Sequence, residues 1–255
     1  MTTCRCRPRR FAVARVKRSI RRTGDGRFVT TQFHYALENH GIRYVWDVHL
    51  RISNAHAYAN RLTYAELRRD AVSLPALDGA LAPSLVHSLV IACIHRVAHH
   101  GEDDDLLWLF DIHLLGASLT PTDRKRLVAL AETKQLSGVI LRGLVRAREI
   151  FGTSLRDDTI RRLAAAAARE PSPPLVGRQS RTVDVFLSDM TALPDWPSRI
   201  ELVREHLFPP RAYMRRLYAE WNSAMLPIAY VHRILCGSPK WFRRKTPPGD
   251  VRPAR

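Results

Sequence analysis

The sequence predicts an α+β fold, a small antiparallel β element followed by a mainly α-helical body. Three observations carry this expectation. Two strand-like segments lie next to each other before residue 53, joined by residues with hairpin chemistry. Beyond residue 60 the apolar residues recur at helical spacing, with Thr, Pro and Gly placed where helices start and stop. Hydrophobic residues at 45% and charged residues at 25% are globular values, and 255 residues suffice for one generous core or two small ones.

The first strand is expected over about Phe28 to Leu37. Glu38-Asn39-His40-Gly41 then offers a turn, the glycine permitting positive φ. The second strand, Ile42 to Ile52, alternates strictly. Ile42, Tyr44, Trp46, Val48, Leu50 and Ile52 form an apolar face, which period-two geometry sets against a core. The opposite face carries Arg43, Val45, Asp47, His49 and Arg51. A carboxylate and an imidazole at i and i+2, flanked by two guanidinium groups, could hold a divalent cation or polarise a phosphate. The same pattern also suits a solvated, salt-bridged sheet face.

Helices come next. Thr63-x-x-Glu66 fits a capping box. Pro83, at a first-turn position, opens a helix that ends at Gly101, where an αL cap needs no side chain. Further helices are expected at Asp105–Ala117, Pro121–Lys134, Leu136–Phe151 (stopped by Gly152) and Asp157–Glu170. Pro171-Ser172-Pro173-Pro174 is a linker or sharp loop, and short helices near Ser198–His206, Pro210–Glu220 and Ser223–Leu235 close the fold. Four regions result: a basic, unstructured leader (1–27), a partial β region (28–80), a helical domain (81–238) and a basic tail (239–255).

A second candidate site lies in the helical part. His95 and His99 are one turn apart, and Asp111 and His113 stand near the start of the next helix, so a metal cluster is conceivable. No glutamate sits between the histidines as H-E-x-x-H requires, and the acids Glu102 to Asp105 occupy the interhelix turn. Histidines locking two helices through hydrogen bonds are the structural alternative, with Trp108 and Phe110 in the core.

The formal charge of +17 is concentrated at the ends. Residues 1–22 carry nine Arg or Lys and no acid, residues 240–255 carry six against Asp250, and the folded body is left close to neutral. A basic stripe on the fold, the usual mark of a nucleic-acid binder, is therefore not expected, and binding to RNA or an acidic membrane surface would fall to the tails. Arg9-Arg10-Phe11 glances at a twin-arginine signal, but Arg15, Lys17 and Arg18 interrupt the apolar run that export needs, so a cytoplasmic location is expected. No apolar stretch approaches the roughly 18 residues of a membrane span. Cys4, Cys6, Cys93 and Cys236 do not make a disulfide framework, and Cys93 and Cys236 are expected as small core residues.

Several segments, in order, resemble the uncharacterised nucleotidyltransferase family of the polymerase-β-like superfamily. They are Val45-Trp46-Asp47-Val48-His49-Leu50-Arg51, the helix Leu89–His95 running on through His99-His100-Gly101, and Leu106-Leu107-Trp108-Leu109-Phe110-Asp111-Ile112. Near the end, Leu207-Phe208-Pro209, Tyr213-Met214-Arg215 and Leu226-Pro227-Ile228-Ala229-Tyr230 continue the likeness. The resemblance implies nucleotidyl transfer from an NTP to an unknown acceptor, with Mg²⁺ held by three carboxylates. Asp47 matches the third carboxylate, with His49 beside it and Arg43 and Arg51 nearby for the nucleotide. The Gly-Ser turn and Asp-x-Asp strand that bring the other two have no counterpart upstream. The expectation is a truncated or degenerate member, inactive alone or completed by a partner chain. A non-catalytic helical interaction module and a metal-dependent hydrolase built on His95, His99 and Asp111 are the alternatives.

The charge distribution makes a prediction. In filter binding against RNA and DNA at two salt concentrations, any affinity of the full chain should be without sequence preference and weaken steeply with salt. Removing residues 1–22 and 240–255 should abolish this binding, and retention would place a basic groove on the body.

Overall fold

The computed structural model describes residues 32–39, 42–100, 102, 104–171 and 181–243. The expected leader, most of the tail, the His40-Gly41 turn, the Gly101 cap and the Pro173-Pro174 linker lie outside the described residues.

The observed fold is α+β. Strand β1 (Gln32–Asn39) pairs antiparallel with β2 (Ile42–His49), in register from Gln32↔His49 to Asn39↔Ile42. β2 ends three residues earlier than the alternation predicts, so Arg51 and Ile52 lie beyond it. Helices α1 (His56–Ala59) and α2 (Tyr64–Arg69) follow, then a second hairpin of β3 (Val72–Leu74) and β4 (Ala80–Ala82). Asp78 and Gly79 turn this hairpin with φ of 54° and 78°, left-handed values that glycine meets without strain.

Five helices make the body: α3 (Leu85–His100), α4 (Leu106–Ala117), α5 (Pro121–Lys134), α6 (Ser137–Phe151) and α7 (Asp157–Ala167). Their ends are set by local chemistry, as expected for Thr63-x-x-Glu66 and for Gly152. Thr63 and Glu66 cap α2 reciprocally, and Thr120 and Asp123 do the same for α5. Asp105 caps α4 by accepting from the Leu107 amide at 3.0 Å. Gly152 stops α6 at φ 65°. The start of α6 is capped from another element, since Glu170 accepts from the amides of Ser137 and Gly138.

The core centres on α3. Its stripe of Val86, Leu89, Val90, Cys93, Ile94 and Val97 is buried, the i, i+3, i+4 spacing of a helix face. Ile112 of α4, Leu127 and Ala131 of α5, Ile140 and Leu144 of α6 and Leu163 of α7 close around it. The tightest point is Gly143 of α6, where a Cβ would stand 2.9 Å from the Cys93 sulfur and 3.4 Å from Cδ1 of Ile112. The missing side chain lets three helices cross there.

The C-terminal helices are α8 (Thr182–Ala192), α9 (Trp196–Leu207), α10 (Arg211–Leu217) and α11 (Leu226–Phe242). α11 runs through Pro239 into the segment expected as unstructured tail. A small core of Leu193 and Leu202, with Phe186 and Met190 packed against it, holds α8 to α9. α8 also packs on α1, joining segments far apart in the sequence.

Three sequence expectations are corrected. The apolar face of β2 does not lie on the core: Ile42, Tyr44, Val48 and Leu50 are exposed and Trp46 is 47% exposed, while only Ile52, beyond the strand, packs inward. Alternation specifies which side chains share a face, not what covers that face. Cys236 is exposed beside His232 rather than buried: along α11 only Ala229 is buried. Phe110 is exposed as well. It lies on the outer side of α4, opposite the buried Leu109 and Ile112.

Gly143→Ala should destabilise the chain by about 1–3 kcal/mol through overpacking, measured by urea unfolding. Cys93→Ala removes the clashing sulfur, so Gly143→Ala in that background should cost clearly less. Additive costs would show that the crossing is not the limiting contact.

Candidate functional site

The site is built where the end of β2 meets α3 and α1. Of Asp47 the structure describes the backbone, which pairs with His34 in the hairpin register. Arg43 is exposed on β2, and His49, also exposed, ends the strand. Arg51 turns away from the strand, its guanidinium 3.5 Å from Nδ1 of buried His56. The structure therefore does not bring Arg43 and Arg51 together on one strand face.

The histidines divide into two groups. His95 and His99 stack on each other at 4.7 Å between ring centroids, and His49 meets His99 edge-on at 6.5 Å, tying the hairpin to α3. His100 joins them, its Nε2 3.1 Å from Nε2 of His95, and Trp108 of α4 lies at 4.7 Å from His95 and 4.4 Å from His100. His113 belongs elsewhere: its Nδ1 is 2.9 Å from the Thr153 hydroxyl and its ring packs on Phe110 and Phe151. Asp111 is exposed on α4. Among the described residues no three of His, Cys, Asp and Glu are arranged to hold a metal ion.

Burial, and then the neighbouring imidazoles of His99, His100 and His49, hold His95 down to about 4; burial, then His49 and His100, also lower His99 from its ordinary value. The His95 ring is therefore neutral at physiological pH and offers hydrogen bonding rather than positive charge. Beside it, between the end of β2 and helices α1, α2 and α3, opens a cavity of about 750 Å³ bordered by His49, Arg51 and His95.

The acids Glu102 and Asp104 are engaged structurally. Asp104 takes a two-pronged ion pair from Arg146 at 2.8 and 3.0 Å and a third contact from buried Arg96, and Glu102 pairs with Arg142. Arg146 and Arg96 hold the Asp104 carboxyl below its ordinary range. These acids are salt-bridged within the bundle, where they anchor the α3–α4 turn to α6.

Sequence reasoning does not reach His56, His100 or Asp189. The doublet His99-His100 is the one local signal for His100. Asp189 is 133 positions from its partner, the His56 amide, whose hydrogen it accepts at 2.6 Å at the start of α1. No periodicity encodes that pairing.

Acidification gives a test. A base whose folded pKa is depressed stabilises the fold fully above its unfolded value of 6.5, and that contribution is lost as pH falls toward about 4. Thermal unfolding of the full chain should weaken across that window by about 1–2 kcal/mol, reduced for the half-open setting. His95→Gln should flatten the profile, and an unchanged profile would refute the assignment.

No curated protein and no solved structure matches the chain. A family model described as an uncharacterised nucleotidyltransferase matches residues 15–152, just over half the sequence. That span takes in both strands of the first hairpin, the histidine cluster and the helical core as far as the αL glycine that ends α6. On this match the chain belongs to the uncharacterised nucleotidyltransferase family.

Proposed function

We propose that this chain supplies the third-carboxylate strand and the helical body of a nucleotidyltransferase, and that it works only with a polypeptide bearing the Gly-Ser turn and the Asp-x-Asp strand. The observation that supports this is the exposed apolar face of β2. Trp46 and its neighbours flank Asp47, and a two-stranded hairpin with an open apolar face is marginal in water until another layer covers it. The occupant proposed for that face is the polypeptide carrying the missing carboxylates. Covering the hairpin would complete the sheet and the acid set in one step.

The donor set of this chain by itself does not fit a pair of Mg²⁺ ions. Asp47 is one carboxylate, two-metal phosphoryl transfer needs several, and no described cluster substitutes for them. No step through magnesium is assigned to the isolated chain. Its own residues offer the strand that carries Asp47, a guanidinium at Arg51 and a wall of imidazoles. The same apolar face also serves the reading as an interaction module, in which Asp47 has no role.

The purified chain should leave labelled NTP at background in Mg²⁺ with any acceptor tried, since two of three ligands are lacking. Incorporation by the chain alone, abolished by Asp47→Ala, would overturn the proposal. A captured polypeptide that restores transfer only with Asp47 intact would support it, and transfer indifferent to Asp47 would favour the interaction module.

A further inference from the structure

We propose that the cavity between the end of β2 and helices α1, α2 and α3 binds a small organic acid, a ring-sized apolar body carrying a single carboxylate. Its assignment as the acceptor of the transfer reaction rests on the reading above; the binding itself does not.

The argument starts with size. About 750 Å³ accommodates a molecule of one or two rings, within the usual range of small-molecule sites. The walls set the chemistry of its body. Ile52, Leu62, Leu67 and Ile91 present aliphatic surface, and Leu62 is fully within the fold. These aliphatic walls suit an apolar ring, while Asn60, Thr63 and Tyr64 leave polar groups on the lining for a ring substituent such as a hydroxyl.

Charge sets the head group. Among the lining residues Arg51 carries the one permanent charge. Its contact is the weak approach to His56, and no carboxylate of the described residues pairs with it. A guanidinium beside an apolar cavity matches a carboxylate, which it can bind through two parallel hydrogen bonds. One cation suits one negative charge. A free triphosphate would bring several charges with no further cations to meet them, and a polycationic acceptor would be repelled by Arg51.

Position links the cavity to the family chemistry. His49, at its edge, is two residues along β2 from Asp47, about 7 Å of extended strand. A hydroxyl on a ligand held by Arg51 would therefore lie near the strand that carries the third carboxylate. The half-buried His95 ring forms part of the wall and stays neutral, so it offers hydrogen bonds without attracting a second anion.

The experiment is calorimetric titration of the full chain, without NTP or metal, using para-hydroxycinnamate, its neutral amide and tyramine as matched probes. The acid should bind saturably at one site, the amide about tenfold more weakly or worse, and tyramine not measurably. Arg51→Gln should bring the acid down to the level of the amide and leave the amide unchanged. Leu67→Trp, which fills the cavity, should remove binding of both, with circular dichroism confirming that each variant is folded. Equal binding of acid and amide, acid binding that survives Arg51→Gln, or no binding by any probe at millimolar concentration would overturn the proposal. Autonomous NTP turnover by the chain would end the acceptor assignment and leave these titrations untouched, so the two failures are separable.

Discussion

The crossing of α3, α4 and α6 at Gly143 is the contact on which the other arrangements rest. Because no side chain separates α6 from α3, the Cys93 and Ile112 side chains fill the space a Cβ would take. That approach sets α3 and α4 close enough for Trp108 to stack on His95 and His100. It also brings Arg142 and Arg146 of α6 within reach of Glu102 and Asp104 in the α3–α4 turn. One turn further along the same face of α4, Gly116 admits Leu144 of α6 at 3.1 Å from its own ideal Cβ position. Two glycines on facing helices thus fix the spacing of the bundle.

Electrostatics follow from the same packing. Arg96 is almost fully buried, yet it hydrogen-bonds the Glu102 carbonyl at 3.0 Å and approaches Asp104 at 3.3 Å. A buried guanidinium without such partners would be costly. The acids in the turn therefore compensate arginines, and a composition rich in Arg is accommodated inside the body by ion pairs that bind helix to helix. Asp189 is the contrasting case. Burial pushes its carboxyl up, opposed by His56 and by the backbone amides it accepts from. It contributes a helix cap across the chain and retains an unrelieved desolvation cost.

Much of the fold was legible locally. The capping boxes at Thr63 and Thr120, Pro121 at a first turn and Gly152 at a last one are side chains acting on their own backbone within four residues, so reading them needs no knowledge of the rest of the chain. The second strand of the hairpin was legible through period two. What covers a face is a tertiary fact, and this is why β2 was expected on a core that does not reach it. α1 has four residues and no cap of its own, and α8 follows a segment with no clear start signal beyond Asp184, so neither announces itself. For the candidate site, Asp47, His49 and Arg51 were singled out because they share an alternating pattern, but β2 ends at His49, so Arg51 lies beyond the strand. The separation of His113 and Asp111 from His95 was not legible, because helical period places residues on a face without saying which neighbour that face meets.

The cap that Asp189 places on α1 has a consequence for the order in which the molecule is made. On the ribosome, the first hairpin and α1 emerge early, but the carboxylate that secures α1 emerges more than 130 residues later. Closing so long a loop is slow compared with forming the α3–α7 bundle, whose contacts are mostly between neighbouring helices. The strand carrying Asp47 therefore spends much of synthesis attached to a folded bundle with its apolar face open and its anchoring helix uncapped. If the proposed second polypeptide covers that face, assembly during translation would spare the hairpin from nonproductive association.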